Sequence, residues 1–210
     1  MKKIFLLAGL CFLFSFITPN DTITKKERKG AIGYFKETQK ALSDEIKWLT
    51  ENQLNWKPAD SVWSIAECVE HIALSEKNLF DMAAGTLKAN ADPSKRSQLK
   101  FDDEAVKKFI TDRSFKVKTR EGFVPTGQFG NTEATLTVFN ERREALIKYM
   151  KDTKDDLRNH FAEFPFGLLD TYQLLLFLGG HTRRHTLQIA ELNHFLVFQK
   201  FRSFSPHFKN

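Results

Sequence analysis

Between Asp170 and Phe198 the chain contains no proline, and its apolar side chains recur at helical spacing. Such a run predicts one long helix, and a helix this apolar must bury a face against other elements. Each residue turns the chain by roughly 100°. On that wheel Leu174, Leu178, His181, His185, Gln188 and Leu192 share one narrow face, Arg183 points away, and Arg184 sits towards the edge. The two histidines of "HTRRHTLQ" therefore face the interior. Each buried imidazole needs partners for its polar nitrogens, and two on successive turns double the demand. A metal ion would satisfy one nitrogen on each ring and an outer acceptor the other. Hydrogen-bonded core histidines are the alternative.

The rest of the sequence supplies helices for this one to pack on. A first helix is expected from Lys26 to Glu51, with Ile32, Phe35, Leu42, Ile46 and Leu49 at roughly helical spacing, before "NQLNWKPADSV" breaks it. A second starts at the capping box Ser64-x-x-Glu67, with Trp63 and Cys68 placed for a hydrophobic staple, and continues to Leu87. Residues 90–130 read as mostly irregular, with a short helix near Asp102–Thr111 and turns at Pro125 and Gly127. A third helix runs from Thr132 to His160 through Leu136, Phe139, Leu146 and Tyr149. "FPFG" (164–167) ends that connection, and Asp170-x-x-Gln173 opens the fourth helix. The fold class expected is all-α, a four-helix bundle with a long crossover between helices 2 and 3. With 210 residues and 41% hydrophobic content, one core is sufficient. The domain is expected over residues 21–200, with a phenylalanine-rich tail at 201–210.

Residues 1–20, "MKKIFLLAGLCFLFSFITPN", have the order of a secretory signal peptide, and the apolar run is too short for an ordinary transmembrane helix. They predict export to the periplasm or the exterior, with membrane attachment if the segment is retained. Its removal takes away Lys2 and Lys3, lowering the formal charge of +6 by two. The remaining basic residues are scattered with no stripe interleaved with aromatics, which argues against nucleic acid as a partner. Cys68 would then stand alone, so no disulfide framework and no cysteine-based zinc site is expected.

A third ligand for His181 and His185 should come from another helix. His194 falls on the shoulder of its own helix, His160 ends the charged stretch "KDDLRNH", and His207 lies in the tail. His71 is left, at the edge of the apolar face of helix 2. Three imidazoles leave a fourth position for water or substrate. An H-E-x-x-H metalloprotease carries glutamate after the first histidine; here Thr182 stands there. Candidates for catalytic assistance are Glu67, whose simpler role is as capping partner of Ser64, then Arg184 as an anion clamp or a surface ion pair, and Gln188 as an orienting or merely structural amide. Gly179 and Gly180 would admit either a neighbouring helix or a substrate.

"WSIAECVEHI", "FGLLDTYQLLLFLGGHTRRHTLQI", "DRSFKVKTREGFVPTGQFG" and "FNERR" resemble the DinB-like (DinB/YfiT-like) superfamily, close to its DinB_2 branch, over about residues 30–195. The resemblance implies a four-helix bundle holding a divalent metal, usually zinc or nickel, on His71, His181 and His185. It also implies homodimerisation and a small-molecule substrate. Relatives include hydrolases and thiol S-transferases, both consistent with a metal that lowers the pKa of bound water or thiol. The signal peptide favours hydrolysis, since a cytosolic thiol cofactor need not accompany an exported protein. The alternative is a non-catalytic bundle whose metal or small ligand ties helix 2 to helix 4.

Overall fold

The computed structural model describes residues 23–204; the signal peptide expected at 1–20 and the tail beyond Phe204 lie outside them. Within them six α-helices and one small hairpin follow in the order α1 (Lys25–Ile46), α2 (Glu51–Asn55), α3 (Ile65–Thr86), α4 (Asp103–Thr111), α5 (Thr132–Asp152), β1 (Phe161–Phe164), β2 (Gly167–Asp170) and α6 (Thr171–Phe204). The long helices α1, α3, α5 and α6 form the four-helix bundle. α3 lies against both α5 and α6, and α1 packs on the same two helices. The long crossover joins α3 to α5, as expected, and carries α4, which packs along α6. No described helix is long and apolar enough to cross a membrane.

Helix starts follow local chemistry. Thr24 and Glu27 close a capping box on α1, and Ser64 and Glu67 close another on α3. The first helix is shorter than its periodicity suggested. It stops at Ile46, because Thr50 caps a new short helix, accepting from the Gln53 amide while Gln53 reaches back. α5 likewise ends at Asp152 rather than near His160. Its C-cap Thr153 is extended, and the Arg28 guanidinium of α1 takes the carbonyls of Met150 and Thr153, groups a helix end leaves orphaned.

The stretch after α5 is the antiparallel β1–β2 hairpin, paired from Phe161↔Asp170 to Phe164↔Gly167. Gly167 turns it at φ 139°, a conformation that favours glycine. Arg158 fixes the hairpin to the bundle. It binds Asp103 of α4, Asp170 of β2 and Glu27 of α1, and its guanidinium stacks 4.1 Å from the Tyr172 ring. α6 continues past Phe198 to Phe204, since nothing breaks it before Pro206.

Two apolar clusters form the core, one around Phe35, Leu146 and Leu174, the other around Leu42, Ile65, Cys68 and Ile189. Arg143 joins them, with its guanidinium 5.6 Å from the Phe35 ring and 5.1 Å from Phe139. It is fully buried and binds Glu76 of α3 through two bonds of 2.6 and 2.8 Å. Its other N–H groups donate to the Phe35 carbonyl, Thr38 Oγ1 and Thr182 Oγ1 at 2.7–2.8 Å. All five guanidinium donors are thereby used, on groups from α1, α3 and α6. Thr182, the residue standing where a zincin has glutamate, is one of these acceptors.

Candidate metal centre

His71 comes from the middle of α3, where it is buried. His181 and His185 come from successive turns of α6 and remain half-buried. The rings converge: His71 Nε2 lies 3.3 Å from His181 Nε2 and 3.1 Å from His185 Nε2. They form the one group of three or more His, Cys, Asp or Glu ligand atoms close enough for a metal among the described residues.

The outer nitrogens fix the tautomers. His71 Nδ1 lies 2.6 Å from the Phe123 carbonyl, which can only accept, so the ring's proton is on Nδ1. His185 Nδ1 lies 2.9 Å from Gln188 Oε1, an oxygen that also faces Arg113 Nη1 at 3.5 Å. That arrangement puts the His185 proton on Nδ1 as well. His71 and His185 therefore point bare Nε2 lone pairs at each other across 3.1 Å, a contact no proton of theirs can bridge. A proton on His181 Nε2 could serve one ring, but not the repulsion between the other two. A cation relieves all three. Tetrahedral bonds of 2.0–2.1 Å place neighbouring ligand nitrogens about 3.3 Å apart, close to both observed separations. The donor set thus fits a divalent metal. His181 Nδ1 is buried without a hydrogen-bond partner among the described residues.

Burial also keeps these rings neutral, the form that binds metal. Desolvation holds His71 and His181 below the ordinary histidine value, and pushes His185 down to about 3. The proximity of His71 and of the Arg184 and Arg113 cations adds to the effect at His185. Trp63 leans on the cluster, its ring 4.8 Å from that of His71 and 6.4 Å from that of His185.

The other sequence candidates divide. Gln188 lies against the cluster, its Oε1 2.9 Å from His185 Nδ1. Glu67 does not face it: its carboxylate binds the Ser64 amide at 2.7 Å and Lys57 at 2.7 Å, so the capping role holds. Arg184 donates to the carbonyls of Ile110, Asp112 and Phe115, capping the end of α4 and the segment after it. It makes no salt bridge among the described residues. The two glycines serve helix packing. A Cβ on Gly179 would lie 3.0 Å from Phe35, and one on Gly180 only 2.2 Å from Ile110 Cγ2. His160 lies beside the hairpin and His194 is exposed on α6, both away from the cluster; His207 lies outside the described residues. Cys68 is buried, and desolvation raises its thiol to about 12, so it offers no thiolate.

A family model described as DinB superfamily (DinB_2) matches residues 34–189, which span the bundle and all three histidines. The chain belongs to the DinB superfamily. Among curated DinB relatives, the uncharacterized protein YuaE of Bacillus subtilis is 27% identical over 161 residues, covering 75% of this chain and 94% of YuaE. Among solved structures, Bacillus subtilis YfiT superposes with a TM-score of 0.56 at 16% identity, over 83% of this chain and 90% of YfiT. YfiT is described as a probable metal-dependent hydrolase with an unusual four-helix bundle topology. At that identity the likeness carries the DinB fold, and the chemistry must be argued from the histidines themselves.

Proposed function

We propose that this DinB protein is a divalent-metal-dependent hydrolase whose metal, zinc or nickel, is held by His71, His181 and His185. One observation carries the reading: two imidazoles with their protons committed to outer acceptors aim lone pairs at one point, 3.1 Å apart. Imidazole sets of this kind suit zinc and nickel, and three ligands leave a further position open. His181 and His185 are partly rather than fully buried, which supports a route to solvent for that position. A metal there supplies Lewis acidity, making bound water a nucleophile near neutral pH.

The protein's own part is orientation. The Phe123 carbonyl and Gln188 amide lock two rings, and Trp63 packs beside them. No described carboxylate joins the ligand group, so the ligands leave the charge of a dication uncompensated. The signal-peptide pattern of residues 1–20 supports the view that the enzyme works outside the cytoplasm.

Metal content of the full chain and of three His→Ala variants, measured by mass spectrometry, tests the site. About one metal per chain is expected, lost in each variant, with metal-dependent turnover of a panel of esters and amides. Protein that stays folded yet takes up neither zinc nor nickel would sink the reading. A loaded protein that transfers thiols and hydrolyses nothing would move it to the S-transferases.

A further inference from the structure

Glu70, the residue before His71, has no part in the ligand set and is buried all the same. Its carboxylate accepts from three consecutive amides of the crossover. Oε1 takes Thr126 N and Gln128 N, both at 3.1 Å, and Oε2 takes Gly127 N at 2.8 Å. Three converging amides require a tight turn, which Gly127 provides at φ 78°. Charge-assisted bonds of this kind are roughly twice as strong as neutral ones.

The segment so gripped contains the carbonyl that orients His71. Phe123 ends a 3₁₀ turn (Glu121–Phe123), and its oxygen takes the His71 Nδ1 proton. Between Phe123 and the first bonded amide stand Val124 and Pro125. Proline fixes its own φ and drives the residue before it to extended backbone, and Val124 is extended, at φ −78° and ψ 129°. The link is short and stiff. On the other side of Phe123, Asn78 of α3 donates to the Gly122 carbonyl at 2.7 Å.

We propose that Glu70 is a positioning residue for the metal centre: by clamping amides 126–128 it sets the Phe123 carbonyl, and through it the tautomer and angle of His71. The inference rests on the metal-centre reading for its purpose, but the coupling between Glu70 and the His71 ring exists in the metal-free chain and is measurable there. Glu70→Gln keeps one acceptor oxygen and loses the charge. Outer partners of metal-ligating histidines are worth about 10–100-fold in metal affinity.

The test compares full-length wild type, Glu70→Gln and Leu157→Ala. Leu157 is fully buried in the apolar cluster around Phe35, Leu146 and Leu174, so its truncation destabilises the bundle without touching the clamp. Imidazole proton NMR on metal-free protein reads exchange of the His71 and His185 Nδ1 protons, and competition with a chelator reads zinc affinity. Glu70→Gln is expected to speed exchange at His71, leave His185 unchanged, and weaken zinc binding about 10–100-fold. Leu157→Ala is expected to lower Tm and move neither quantity. The proposal is overturned if Glu70→Gln leaves the His71 proton at its wild-type rate, or if Leu157→Ala reproduces the effect on His71. Wild type that binds neither zinc nor nickel would refute the metal-centre reading, and the His71 proton would still decide the clamp.

Discussion

Replacing Arg143 with methionine removes the cation at the centre of the bundle and leaves its partner behind. The Glu76 side chain is 2% exposed and, among the described residues, its two oxygens bind Arg143 alone. Removing one member of a buried pair costs about 3–5 kcal/mol, because the other charge stays desolvated without compensation. For a chain of this size each kcal/mol lowers Tm by about 2–4 °C, so Arg143→Met should melt about 6–20 °C below wild type. Replacing both partners, as Arg143→Met with Glu76→Leu, removes the stranded charge, and apolar replacement of a buried pair is often close to neutral. One deficit persists in the double variant. Thr182 Oγ1 loses the Arg143 bond, at about 1 kcal/mol, whereas Thr38 keeps its bond to the Phe35 carbonyl at 3.2 Å. Chemical denaturation of the four proteins closes a double-mutant cycle. A cost below about 1 kcal/mol for Arg143→Met, or a double variant no more stable than the worse single one, would refute the stranded charge on Glu76.

Two further outcomes follow from the geometry. Gly180→Ala forces a methyl to 2.2 Å from buried Ile110 and should cost about 1–3 kcal/mol through overpacking; pairing it with Ile110→Val should recover part of the loss in a denaturation curve, and no recovery would count against α4 as the obstacle. In metal-free protein the depressed His71, His181 and His185 bind fewer protons than the unfolded chain, so their stabilising contribution is complete above the ordinary value of 6.5 and drains away as pH falls, for His185 towards about 3. Denaturation at stepped pH should show stability falling below pH 6.5 by up to about 1.4 kcal/mol per pH unit for each histidine, with a shallower slope in His185→Gln; equal slopes would contradict the assignment.

What could be read from the sequence was local. Ser64-x-x-Glu67 announces α3 because both halves of the box lie within one turn, and the apolar period of 170–198 aligns His181 with His185. The same arithmetic identified Glu67 as a capping residue rather than a base. The hairpin escaped notice because its strands are four residues each and depend on Gly167 and on Arg158 reaching three elements. The outer partner of His71 could not be seen, since a backbone carbonyl carries no side-chain signature. Arg143 did leave a signal. It stands at helical spacing from Phe139 and Leu146 on the core face of α5, where an unpaired guanidinium would be costly, yet its partners on three other helices follow only from packing.

Two of the three converging nitrogens belong to a single helix, and that has a consequence before the bundle exists. His181 and His185 need one helical turn to face the same way, whereas His71 must be delivered by α3. Under the proposed ligation, an unfolded chain can already hold an ion weakly on α6, and the ion in turn favours helix there. Any affinity of the unfolded state subtracts from the stabilisation that metal lends the folded one. Added zinc should therefore raise Tm by less than its affinity for the finished site implies, while giving the last helix a head start in the order of assembly.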